Sequence, residues 1–266
     1  MKKLSFLAIA FAAIAFAACG NKTAQTAETA DSVKSFEQEQ IEASIKMHMD
    51  SIASELGKLK TLPFLNEGED GITLTKEEKQ VKPDYLLTAN VADEATTLTE
   101  KYRILSALSV DKKIAALYEM PTEDYEKAIT KLAADINDPS FKAIENANTI
   151  FETTSTLYDE MEKNGRINYF WQLASAALVE QLYVANQNAD KFLSSFNDET
   201  AANVTFRIVL ILDAVNRLAQ YDPDIEPVAQ AIAPLDALNA TTVAEMKEQM
   251  AKMKDQINAA RKALVK

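Results

Sequence analysis

The scarcest reactive side chains in this chain of 266 residues are one cysteine, one histidine and one tryptophan. His48 stands between Ile45 and Ile52 and is flanked by Met47 and Met49. An imidazole with soft thioethers is a copper-binding set. Neighbours on a helix, however, point about 100° apart, so these three side chains do not converge on one ion, and His48 is expected in the core or at its rim. Met246, Met250 and Met253 do share one helical face, and their heptad phase marks core packing rather than a row of metal ligands. Nucleophilic catalysis lacks its parts, since no Gly-x-Ser-x-Gly elbow supports Ser51 or any other serine. With 40 acids in the chain, carboxylate pairs on a shared helix face carry no information about glycoside chemistry. No catalytic residue and no cofactor is expected.

Binding chemistry is better supplied. Tyr169-Phe170-Trp171, Tyr183, Glu180 and Arg207 place aromatic area and opposite charges on two apolar segments that should be neighbours. A concave surface lined by aromatics with a few polar groups is how small ligands are held, and this set suits an apolar or a cationic one. The same residues also describe a core in which Arg207 neutralises Glu180 or Asp213 near the edge. Changing Trp171 costs binding under the first reading and stability under the second.

The stretch from Asn66 to Glu77 resembles the EF-hand calcium loop at Asn66, Asp70, Gly71 and Glu77. That loop delivers oxygens from alternating side chains, bends at a glycine and closes on a bidentate glutamate, which implies Asn66, Asp70 and Glu77 as metal ligands. Here Gly68 offers no ligand where the loop needs one, and Leu74 occupies another ligand position. A plain acidic turn accounts for the segment better, and calcium binding is the lesser alternative. The Gly-x-His-x-x-Glu signature of imelysin-type lipoproteins is not matched, because Lys46 stands two residues before His48 and Ser51 three after it.

Cys19 has its own context. Met1-Lys2-Lys3 is a positive start, residues 4–18 carry no charge, and Phe16-Ala17-Ala18-Cys19-Gly20 sets small residues on both sides of the thiol. This resembles a bacterial lipoprotein signal peptide. The resemblance implies that the chain is cut before Cys19, that the cysteine is diacylated and that the new amino terminus is acylated too. Residues 1–18 are then the leader and residues 19–32 a flexible tether. Several acyl chains hold a protein to a membrane firmly where one would be marginal. No thiol would remain for disulfides or catalysis. Glu28 is the first acid after Cys19, so the acidic run of surface-displayed lipoproteins is missing. The expected location is the outer membrane, facing the periplasm.

These residues need elements to position them, and composition says which. Five glycines in the whole chain are too few for phosphate-binding loops, tight hairpins and doubly wound sheets, while Ala-, Leu-, Glu- and Lys-rich segments favour helices. The fold class is all-α, a multi-helix bundle over residues 33–266. The net charge of −12 grows two units more negative once Lys2 and Lys3 leave with the leader, which argues against nucleic acid as a partner.

Helical periodicity is predicted over 33–59, over 93–108, and in a shorter helix capped by Asp111 that carries Ile114, Leu117 and Tyr118. Pro121-Thr122 opens another with Tyr125, Ile129 and Leu132. Asp138-Pro139 opens the next, with Phe141, Ile144, Ile150, Phe151, Leu157, Tyr158 and Met161 inward and Gly165 past its end. Residues 167–196 are apolar on most sides and form the helix others pack around. The run from Phe206 to Leu212 reads as helix because Asp213 to Leu218 continues it at helical period. Pro223, Pro227 and Pro234 break the next segment into a loop and a short helix, and Val243, Met246, Met250, Met253, Ile257, Ala260 and Leu264 form a coiled-coil-like seam. Residues 62–82 are the exception, a long loop or a small β-hairpin pairing Ile72 to Thr75 with Lys79 to Lys82. The segment from Asp93 resembles the one from Asp198, which suggests two related halves, 33–165 and 166–266.

The functional expectation is a lipid-anchored, non-enzymatic envelope protein with a protein-interaction or scaffold role, whose partners are the membrane and an envelope protein. The alternatives are a periplasmic binder of a small apolar or cationic ligand and a calcium-responsive module.

Overall fold

A computed structural model describes residues 36–66, 71–144 and 154–265. Cys19, the leader, the tether, Asp70, Ile150 and Phe151 lie outside the described residues. The fold is all-α, and no strand occurs among the described residues. The α-helices are α1 (Phe36–Lys58), α2 (Lys76–Gln80), α3 (Val91–Glu94), α4 (Leu98–Leu117), α5 (Glu123–Ile136), α6 (Thr154–Lys163), α7 (Ile167–Gln187), α8 (Ala189–Phe192), α9 (Asp198–Leu218), α10 (Glu226–Ile232), α11 (Val243–Lys252) and α12 (Lys254–Val265). No described helix is long and apolar enough to cross a membrane.

The helix that is apolar all round is the centre. Every residue of α7 from Phe170 to Leu182 is buried, and α4, α6, α9, α10 and α12 pack against it. Small side chains let α4 and α7 lie close: Ser106 and Ala107 on one and Ala176 and Ala177 on the other are fully buried. Ser106 also donates its hydroxyl to the carbonyl of Leu173 at 2.9 Å. Outside this group α1 lies over α6 and α9, and α5 over α4. One core runs through both proposed halves. The two segments compared for duplication begin their helices at different points, with Thr97 capping α4 and Asn197 capping α9.

Several boundaries differ from the predicted ones. The predicted helix over 93–108 and the one capped by Asp111 are a single helix, α4, in which Asp111 is a buried interior residue. Its start is set by a reciprocal cap: Thr97 Oγ1 accepts from Glu100 N–H at 3.2 Å while Glu100 Oε2 accepts from Thr97 N–H at 3.0 Å. The β-hairpin does not form. Residues Pro63–Leu65 make a 3-10 turn, and the same type of cap between Thr75 and Glu78 starts α2 where the hairpin turn was expected. Leu74 is buried and Ile72 packs on the core, so the apolar residues pin the segment down rather than pair it.

The predicted helix over 167–196 breaks at Asn188, whose backbone leaves the helical region, and ends in the short α8 and a 3-10 turn, Leu193–Ser195. The C-terminal seam is interrupted at Met253, yet Met246, Met250, Met253, Ile257, Ala260 and Leu264 are all buried as its phase requires. Gly165 ends α6 with φ +67°. Its N–H donates to Glu162 O and that of Arg166 to Met161 O, the paired bonds of a glycine-terminated helix.

Candidate functional site

The six aromatic and charged candidates do not meet in one place. Tyr169 opens α7 and stacks on Tyr102 of α4, with ring centroids 4.6 Å apart. The Tyr102 hydroxyl donates to Asp138 Oδ2 at 2.5 Å and accepts from Arg166 Nη1 at 3.1 Å. Burial, and then the hydrogen bond to Asp138, hold that hydroxyl protonated well above the usual tyrosine range. Trp171 is fully buried one residue after Phe170. It packs edge-on against Phe170 at 5.0 Å and Tyr158 at 6.2 Å, and its indole N–H has no partner among the described residues.

Glu180 and Tyr183 lie further along α7, in a sealed ionic cluster. Arg261 of α12 donates from Nε and Nη2 to both oxygens of Glu180 at 2.8–3.0 Å. Its guanidinium lies 3.9 Å from the centre of the Tyr183 ring. Asp111 of α4 is the third member, with Oδ2 3.8 Å from Arg261 Nη2 and accepting from Leu87 N–H at 2.7 Å. Both carboxyl groups are fully buried. Burial pushes the Asp111 pKa far up, and the charge of Glu180 adds to the push. Burial also raises the Glu180 pKa, but Arg261 opposes it. Two acids facing one cation are therefore unequal, and Asp111, with the longer approach to Arg261, is the one whose carboxyl burial holds toward its neutral form. The expected pairing of Arg207 with Glu180 or Asp213 is replaced by this cluster, because α12 brings Arg261 to Glu180 first. Asp213 instead pairs with His48, whose Nε2 lies 2.7 Å from Oδ2, and with Arg217 at 2.9 Å.

Arg207 is the candidate left facing a space. On α9 it borders a cleft against α1, α6 and α7 that is lined by Leu56, Leu59, Leu157, Phe170, Leu178 and Ile211, with Gln181 as its polar neighbour. The cleft holds roughly 590 Å³ of empty space, open solvent at its mouth included. Arg207 Nη2 donates to the carbonyl of Lys60 at 2.8 Å and Nη1 to Gln181 Oε1 at 3.3 Å. Both acceptors are neutral, and no carboxylate lines the cleft among the described residues. With nothing to offset its desolvation, the guanidinium pKa falls to about 10, so it still carries its charge at neutral pH.

The calcium set is not assembled among the described residues. The Asn66 N–H returns to Pro63 O, Asp70 lies outside the described residues, and Glu77 is exposed in the first turn of α2. Leu74, at a ligand position of the loop, points into the core. Among the described residues no group of three or more histidine, cysteine or acidic side chains is placed to hold a metal ion.

Sequence reasoning did not single out Arg261, and it gave Asp111 the wrong task. A signal was present: Asp111 and Glu180 are acids inside apolar helical runs, and an acid that periodicity places in a core requires a cation or a proton. Arg261, between Ile257 and Leu264 on the seam of α12, is the cation at the right phase. Compared with protein-family models, with curated proteins and with solved structures, the chain matches none.

Proposed function

We propose that the protein is a lipid-anchored, non-enzymatic binding protein of the cell envelope. Cys19 tethers it to the outer membrane on the periplasmic side, and a small, largely apolar ligand is held between α1, α6, α7 and α9. The observation that carries this reading is the cleft beside Arg207, because concave apolar surface with a few fixed polar groups is the common form of a small-ligand site. Other candidate side chains are engaged elsewhere in the protein: Glu180 with Arg261, Tyr169 with Tyr102, and His48 with Asp213. The cationic half of the expected ligand class is disfavoured, since Arg207 would repel it and no described carboxylate is there to hold it.

Two measurements test the reading. Octan-1-ol should raise the melting temperature of the protein saturably, and Ala174→Leu, which adds bulk to the lining, should abolish the rise while leaving a cooperative melt. Mass spectrometry of the native product should find Cys19 at the amino terminus bearing acyl chains, and Cys19→Ser should release the protein from the membrane fraction.

One observation favours a protein partner as a second reading. Phe206 and Val209 are exposed one turn apart on α9, and exposed apolar pairs on a helix suit a contact with an envelope protein. A photo-crosslinker at Phe206 should then give one discrete adduct that Val209→Lys removes.

A further inference from the structure

We infer that the cleft is a site for an amphipathic monocarboxylate, whose apolar chain lies among Leu56, Leu157, Phe170, Leu178 and Ile211 and whose carboxylate meets Arg207 at the mouth. This rests on the ligand-holding reading of the cleft and adds the chemical class of its occupant.

Arginine presents five N–H donors in a fixed plane, and the fork suits a carboxylate. At Arg207 the protein uses Nη2 for Lys60 O and Nη1, at the longer distance of 3.3 Å, for Gln181 Oε1. Neither acceptor carries charge, and among the described residues no carboxylate lines the cleft to offset the positive charge. Arg261 and Arg217 each have a carboxylate within 2.9 Å; Arg103 is held by neutral acceptors as Arg207 is, Leu264 O and Gln172 Oε1, but it does not border the cleft. Placing a guanidinium beside a greasy cleft with only neutral partners costs free energy that an anionic ligand would return.

The number of charges selects further. One cation neutralises one negative charge, and no second cationic side chain lines the cleft among the described residues. A phosphate dianion would stay half unpaired, next to a protein of net charge −12. The apolar walls ask for hydrocarbon behind the charge.

The test is calorimetric titration of the purified protein with octanoate, octan-1-ol and octylammonium, each below its aggregation limit. Octanoate should bind at one site at least tenfold more tightly than octan-1-ol, and octylammonium more weakly than either. Arg207→Gln should bring the ratio of octanoate to octan-1-ol affinity close to one, whereas Arg207→Lys should keep part of the preference. A readout on the unaltered protein guards against a variant that fails to fold. In NMR, the carboxyl carbon of bound, labelled octanoate should titrate at lower pH than that of free octanoate, because the guanidinium stabilises its ionised form. A higher titration point would overturn the inference, as would octanoate binding that Arg207→Gln leaves intact. Equal affinity for octanoate and octan-1-ol would overturn the anion assignment while the apolar-ligand reading stands. Absence of binding by all three would overturn both.

Discussion

Glu180 on α7 receives two arms of Arg261 on α12, with Nε 2.9 Å from Oε2 and Nη2 2.8 Å from Oε1. This fork ties the C-terminal helix to the central one, and Arg261 Nη2 also reaches the carbonyl of Tyr85 at 3.3 Å, fastening the loop before α3. Removing Arg261 leaves two buried acids without their cation. Arg261→Met should cost about 3–5 kcal/mol in urea denaturation, the range found when one partner of a buried pair is removed. Arg261→Lys should recover only part of that, since an ammonium can neither fork onto Glu180 nor lie flat over Tyr183.

The buried carboxyl of Asp111 makes stability depend on pH. Its folded-state pKa is raised, by burial first and by the charge of Glu180 second. Such a group contributes stability that is fully present below its unfolded pKa and is lost as pH rises through the folded value. Asp111→Asn keeps an oxygen for Leu87 N–H and imitates the neutral carboxyl. The difference in urea midpoint between Asp111→Asn and the unaltered protein should therefore grow in favour of the variant as pH rises from about 5 to 8. A difference independent of pH would mean that Asp111 is ionised in the fold.

Elements governed by local rules were legible in the sequence. Gly165 ends α6 because the bonds that close the helix need a residue at positive φ, here +67°. Val243 through Leu264 kept its phase, and the apolar breadth of residues 167–182 identified the central helix. What failed was decided by competition between local signals. Thr75 with Glu78 and Thr97 with Glu100 are Thr-x-x-Glu capping boxes, visible in the sequence. The first overrode the alternating pattern taken for a hairpin, and the second moved the start of α4 past Asp93. The site was less legible, because which cation reaches Glu180 depends on how α12 docks. Periodicity along one helix says nothing of that. Arg207 was identified as a candidate, but its exclusion from the ionic cluster, and so its availability at the cleft, emerged only once Arg261 had taken its place.

A second clamp joins α4 to the chain just after α5, through Asp138, and to the turn between α6 and α7, through Arg166. Tyr102 is fully buried, and its hydroxyl bridges Asp138 and Arg166. Tyr102→Phe keeps the ring stacked on Tyr169 but strips the buried Asp138 of a donor and Arg166 of an acceptor. The expected loss is about 1–3 kcal/mol of stability, the cost of leaving a buried polar group unsatisfied. In the unaltered protein the raised pKa should keep Tyr102 from forming tyrosinate in an alkaline absorbance titration until the protein unfolds.

Trp171 separates packing from binding. It is fully buried among Phe170 and Tyr158 and does not itself line the cleft, while Phe170, 5.0 Å away, does. Trp171→Ala should cost about 3–5 kcal/mol, as deletion of a large buried ring does. Trp171→Phe should cost clearly less, because it fills most of the space and removes an indole N–H that has no partner among the described residues. If the cleft is the ligand site, Trp171→Phe should leave octanoate affinity within about twofold, a change of roughly 0.4 kcal/mol, since the contact surface is that of its neighbour. In the unaltered protein the same ligand should still shift Trp171 emission, because displacement of the Phe170 ring alters the indole environment. Loss of octanoate binding in a stably folded Trp171→Phe variant would place the ligand against the indole itself and require a different cavity.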